Sequence, residues 1–342
     1  MPSDIRPSAN NFPVAIVYDA DGNVPNALLG QGAGSAGSCF TNAAYGGVDS
    51  FSTDAHLLHA LVILNGVRAP TPAQLPDMKY RLVRVLGSVL GLDWSQMNLN
   101  VFTRSPAATS ADYAGLTIMH AVDPINCIPI SLCYPNADQP KMDDRAALSR
   151  LYPVTAQNQA AFPGKQLFFE NTVRIHGAVY FADSNGQPAE PMQGVNVVAR
   201  WIDPATSQPS RIYGGGNAGN AATGFYDSTG QAWDRFGSDD SAVQGLFDLA
   251  GLEIPNGANS AQYQLSVEAL DSSWSQSVGP YGPWQVQPSG AFQPLIVTVS
   301  KGGDLQQDIL MRRARCRPET SSSPLHLRRP PLCRLQETGS GL

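Results

Sequence analysis

Hydrophobic periodicity changes once along this 342-residue chain, and that change restricts the fold more than any other feature. Before about residue 155, apolar residues recur at helical spacing in two places. After about residue 171 they alternate with a period of two, the pattern of half-buried strands. A chain patterned in this way is α+β, with helices in its first half and an all-β antiparallel sandwich in its second.

The clearest helix runs from about Pro72 to Leu90. Thr71 stands at its N-cap position and Pro72 at its first helical position. Met78, Leu82, Val85, Leu86, Val89 and Leu90 form its apolar face, and Gly91 sits where a left-handed C-cap belongs. A second helix begins near Asp143 and stops at Pro153, with Asp143 and Asp144 placed to meet its N-terminal dipole. Val14 to Tyr18 reads as a short buried strand ended by an Asp-Gly turn. Asp19-Ala-Asp-Gly has part of a calcium-loop spacing, but its glycine comes too early, and it reads as a turn. The apolar run His56 to Gly66 fits either a helix passing into a strand or one buried helix.

Residues 156–170 are polar and unpatterned and read as a linker. From 171 to 311 the strand signals are VRIHGAVYF, GVNVVARWID, GLFDL, YQLSVEAL and PLIVTVS, separated by Gly, Pro and Asn turns. Residues 204–240 are rich in Gly, Asn and Ser and read as a long insertion. Residues 312–342 carry seven Arg and two Glu among scattered prolines, and are expected to be a disordered basic tail.

Composition narrows the functional classes. Charged residues are 15% of the chain, against about 25% in ordinary soluble domains, and Gly 32 with Pro 27 is a turn-rich content. The net charge of −6 is unevenly placed: without the +5 tail, residues 1–311 carry −11. An acidic body of this kind is a poor nucleic-acid binder. No apolar run approaches the ~18 residues that a membrane-spanning helix needs. Five cysteines leave at least one without an intrachain partner; Cys127 and Cys133 are close enough in sequence for a small disulfide loop. The first residues lack the basic and apolar regions of a signal peptide.

Three segments occur in order: RVLGSVLGLDWS at 84–95, TIMHAVDP at 117–124 and MDDRAALSRLYP at 142–153. Together they resemble the matrixin branch of the metzincin zinc peptidases over roughly residues 12–155. In that family a helix bearing H-E-x-x-H-x-x-G-x-x-H precedes a methionine turn, and a last helix opens with paired Asp. The resemblance implies a metzincin-like domain of mixed sheet plus helices over residues 1–155, with Met119 at the methionine turn. It also implies that Arg84, Ser88 and Trp94 stand at the zinc-ligand positions and Val85 at the general-base position. Catalytic zinc needs three protein ligands, and its water needs a base. Arg offers no lone pair, the Trp N–H is a donor only, and Val has no proton-accepting atom. The domain is therefore expected to lack zinc and catalytic residues, with no cofactor. The second half is similar to carboxypeptidase-regulatory-like domains, small transthyretin-like sandwiches, over 171–311.

These resemblances imply an extracellular, non-catalytic binding or structural protein whose ligand is a protein or a glycan. If the old cleft persists, Arg84, Ser88 and Trp94 are expected to line it, with Arg84 holding a partner carboxylate. One alternative is a zinc endopeptidase with the atypical ligands His56, His59 and His120. Another is a carbohydrate-binding sandwich that uses Tyr213, Phe225, Tyr226, Trp233 and Phe236 of the insertion.

Overall fold

The computed structural model describes residues 13–35, 43–54, 56–95, 115–119, 136–192, 195–209, 217–221, 224–225, 237–238, 240–254, 257–269 and 295–311. The fold is α+β. Strand β1 (Val14–Asp19) leads through helix α1 (Asn23–Leu29) to β2 (Ala44–Phe51) and β3 (Leu57–Asn65). These three make one sheet in the order β1-β3-β2, with β1 parallel and β2 antiparallel to β3. The run His56 to Gly66, open between helix and strand in sequence, is therefore a central strand. Ala60, Val62 and Ile63 on its two faces are all almost fully buried, which explains why it shows no alternation. The Asp-Gly turn after β1 is as expected: Gly22 has φ 76°, and Asp19 accepts a hydrogen bond from the Val24 amide.

Helix α2 (Leu75–Val89) follows a 3-10 turn at Pro72–Gln74, so its α-helical part starts three residues later than the pattern implied. The Gln74 side-chain oxygen accepts from both the amide and the hydroxyl of Thr71, closing the helix start. Its apolar face, with Val89, Val85, Leu82 and Leu86, packs on Ala60 and Val62 of β3. Helix α3 (Met142–Leu151) is the second helix read from sequence. The expected linker contains a 3-10 turn and a single helical turn, α4 (Phe168–Asn171), in which Phe168 is buried.

The second half folds into two packed five-stranded sheets. One contains β11 (Leu246–Glu253), β4 (Thr172–Ala182), β14 (Asp304–Gln306), β15 (Ile309–Met311) and β5 (Pro188–Pro191). The other contains β13 (Leu295–Ser300), β12 (Ser260–Ala269), β6 (Val195–Asp203), β7 (Gln208–Pro209) and β8 (Asn217–Ala221). A small pair, β9 (Gly224–Phe225) and β10 (Gly237–Ser238), stands apart. Every strand signal read from the sequence lies in one of these strands. The expectation of a wholly antiparallel sandwich needs correction, because β14 and β15 run parallel to β4. The chain leaves β13 in one sheet, turns at Lys301 to Gly303, and enters the other sheet beside β4. A hairpin would have reversed it within one sheet.

One core joins the two sheets: Val173, Ile175 and Val179 face Val195, Val197, Tyr263, Leu265 and Val267. Met142 of α3 belongs to the same core and is only 1% exposed. The last helix before the expected linker is thus docked on the sandwich. Residues 312–342, Cys127, Cys133, His120, Tyr213, Tyr226, Trp233 and Phe236 lie outside the described residues, as does the side chain of Phe225.

Candidate functional site

The site begins where α2 ends. The amide of Leu92 donates to the Gly87 carbonyl and that of Gly91 to the Ser88 carbonyl, with Gly91 at φ 88°. This turn brings Trp94 back beside Arg84, ten residues earlier. The Arg84 guanidinium lies 5.0 Å from the Trp94 ring centre and 5.4 Å from the Tyr80 ring centre. It also donates to the Tyr80 hydroxyl at 2.9 Å. Arg84 is 8% exposed, so its charge is desolvated and each ring contact is worth up to about 2 kcal/mol.

Beneath the helix lies the buried segment Gly115 to Met119. A side chain at Gly87 would overlap the Met119 sulfur, so only glycine lets the two approach this closely. The N-terminus of α3 holds this segment in place. Asp144 accepts hydrogen bonds from the amides of Ile118 (2.9 Å), Met119 (3.0 Å) and Lys141 (2.8 Å). Its neighbour Asp143 accepts from the Ser95 hydroxyl at 2.7 Å, and the Ser95 amide donates to the Met119 carbonyl at 2.6 Å. At the far end of α3 the Tyr152 hydroxyl donates to the Leu90 carbonyl at 3.0 Å. The three segments singled out in sequence therefore meet at one place. Burial pushes the Asp144 carboxyl above its ordinary value, against the pull of its three amide donors.

The outer side of α3 meets β11. Arg145 makes a two-pronged pair with Glu253, both contacts 2.7 Å. Arg150 pairs with Asp248 at 2.9 Å, and Asp248 also receives Arg174 of β4. Gly251, at φ 82°, lets β11 pass close to the Ala146 carbonyl.

Between these elements lies a cavity of about 480 Å³, within the range of small-ligand sites. Its wall combines the turn Gly91 to Ser95, Met119, the facing side of α3 and residues 248–252 of β11. Trp94 and Met119 line it. Arg84 and Ser88 are not part of the wall: Arg84 is held between its two rings, and Ser88 is half-buried on α2. Val85 packs into the apolar core between α2 and the first sheet.

These residues do not fit a catalytic zinc. Arg84 and Trp94 present no lone pair to a metal, and Val85 presents carbon. The atypical trio is not brought together by its described members either. His56 is exposed with Nδ1 3.0 Å from Asp54, whereas His59 is fully buried with Nδ1 2.6 Å from Asp49. Among the described residues, no three His, Cys, Asp or Glu side chains are grouped to hold a metal ion.

Sequence reasoning missed Asp93, Ser95, Arg150 and Asp248 as wall residues. Asp143 and Asp144 carried a signal as paired acids at a helix start; the others gain a role only through contacts made by folding.

No known protein family and no curated protein matches the chain. Among solved structures, it has partial likeness to a chlorocatechol 1,2-dioxygenase from Pseudomonas putida, at 12% identity and a TM-score of 0.20, covering 44% of this chain and 63% of that one. The phospholipase PlaB from Legionella pneumophila is similar at 12% identity and a TM-score of 0.22, covering 48% of this chain and 31% of that one. A Pseudomonas aeruginosa protein proposed to bind carbohydrate is similar at 17% identity and a TM-score of 0.16, covering 47% of this chain and 99% of that one. The chain spans less than two thirds of the first two. Likenesses this weak carry no functional argument.

Proposed function

We propose that this chain is a non-catalytic, extracellular binding or structural protein, built on a matrixin-like fold without zinc chemistry and followed by a transthyretin-like sandwich. The observation that carries this reading is Arg84, buried between Tyr80 and Trp94. The positions that the resemblance assigns to the first and third zinc ligands are filled by a packed cation and an aromatic ring. Both are stable there without a metal, and neither can activate water. The contact of Gly87 with Met119 and the Asp144 clasp on the 117–119 segment support the matrixin-like framework. No helix among the described residues is long and apolar enough to cross a membrane. The cavity beside Trp94, bordered by the turn after α2, by α3 and by β11, supports a binding role.

The test is metal analysis of the purified chain beside a casein-cleavage assay. The expected result is zinc far below one per chain and intact casein after prolonged incubation. Stoichiometric zinc together with chelator-sensitive cleavage would overturn the reading.

A further inference from the structure

Strand β1 leaves one edge of the first sheet open. It is the outermost strand in the order β1-β3-β2 among the described residues. The Ala60 amide donates to the Pro13 carbonyl at 2.9 Å, and the parallel register runs from Val14 beside Ala60 to Asp19 beside Asn65. In a parallel pair, alternate residues turn their backbone groups toward the partner strand. Ala15, Val17 and Asp19 therefore face β3, and the N–H and C=O groups of Val14, Ile16 and Tyr18 point to the open side. The side chains of the same three residues are uncovered, at 40%, 52% and 66% exposure. They share a sheet face with Ala60, Val62 and Leu64, but α2 packs over β2 and β3 and leaves them bare.

Edge strands are normally blunted by proline, charge or bulges, because an unpaired apolar strand is a template for another. The opposite edge of the same sheet is blunted in this way: β2 carries Gly46, Gly47 and Asp49 and two register shifts. Strand β1, VAIVYD, pairs regularly and has no proline or bulge, and its single charge, Asp19, sits at its end. We propose that β1 pairs with β1 of a second copy of this chain, antiparallel and with the two-fold axis at Ile16. Ile16 then lies opposite Ile16 of the second copy, and Val14 opposite its Tyr18. Each such pair exchanges both backbone hydrogen bonds. The side chains form a ladder of aromatic and β-branched residues on one face, a favourable cross-strand combination. Asp19 falls opposite Pro13, so like charges do not meet on the strand. An extended segment of another protein offers the same backbone groups, but the match of Val14 with Tyr18 on both sides of Ile16 favours a second copy. Pairing along one six-residue strand covers less than the roughly 800 Å² per partner of a standard interface, so the dimer is weak, with a Kd of about 10–100 µM. It uses no residue of the cavity wall and does not depend on the non-catalytic reading.

Sedimentation equilibrium of the full chain, over concentrations spanning that Kd, is the experiment, and reversible monomer–dimer association is the expected result. Ile16→Lys changes an exposed side chain and should weaken association at least tenfold, because the two lysines meet at the axis. Ile16→Glu should do the same by itself. Mixed in equal amounts, I16K and I16E should recover association to within threefold of wild type. Ile296→Lys, similarly exposed on β13, should change the Kd less than twofold. Should either Ile16 variant fail to fold, Tyr18→Lys, the most exposed of the three, is the test, with at least a threefold loss expected. A wild-type chain that stays monomeric at ten times the expected Kd overturns the proposal and leaves the edge to an extended segment of another protein. Association undiminished in the folded Ile16 or Tyr18 variants, an equal loss in I296K, or no recovery in the mixture of folded I16K and I16E overturns it as well.

Discussion

Arg84 and Asp144 do contrasting work with buried charge. Arg84 is stabilised in a desolvated place by ring faces and a phenol hydroxyl. Asp144 is stabilised by amides that only its position at the start of α3 can reach. Its burial raises its titration above the ordinary value, which fixes a sign. An acid whose folded value is raised holds its proton more tightly in the native state. Its contribution to stability is therefore complete below the unfolded value and is lost as pH rises through the folded one. The stability advantage of the wild-type chain over Asp144→Asn should be largest at low pH and shrink as pH rises through that interval. Urea midpoints of both proteins across pH measure this. An advantage that grows with pH would mean the amide donors outweigh burial.

At the scale of elements, α3 is the hinge of the structure. In sequence it is a short amphipathic helix, and its weak pattern is that of a surface helix. In the fold it reaches both ways, through Asp144 to the 117–119 segment and through Met142 to the sandwich core. The Tyr263 hydroxyl donates to the Glu253 carbonyl and lies 3.7 Å from the Met142 sulfur, so β12, β11 and α3 meet at one point. Met142→Ala should therefore cost about 2–5 kcal/mol, the range for emptying a core position. Chemical denaturation measures it; a loss near that of an exposed helix residue would remove Met142 from the core. Helices α2 and α3 and the strands β4, β6, β11, β12 and β13 were legible in the chain, because capping residues and periodicity act locally. The run 56–66 was not, because a strand covered on both faces has no alternation to read.

For the whole molecule, the boundary drawn near residue 155 separates two patterns of sequence, and contacts cross it. The Arg145–Glu253 pair and the Arg150–Asp248–Arg174 chain both span it, although each bridge is half-exposed and is worth about 1 kcal/mol or less. The larger contribution is Met142. A fragment beginning at Ala156 lacks that side chain and should unfold at lower urea than the sandwich does in the full chain. The expected deficit is at least that of Met142→Ala, about 2–5 kcal/mol. Equal midpoints would make the sandwich independent of α3.

By itself the sequence determined the α+β class, the two main helices and the five longest strands of the sandwich. All of these follow from residue type and spacing over short stretches. Only the tertiary structure decided that Arg84 lies between two rings, that α3 joins the sandwich core, and that an acid-lined cavity opens beside Trp94. The physical reason is distance along the chain. Asp143 meets Ser95 across 48 residues and Arg145 meets Glu253 across 108, and no local pattern encodes which distant partner a side chain will find.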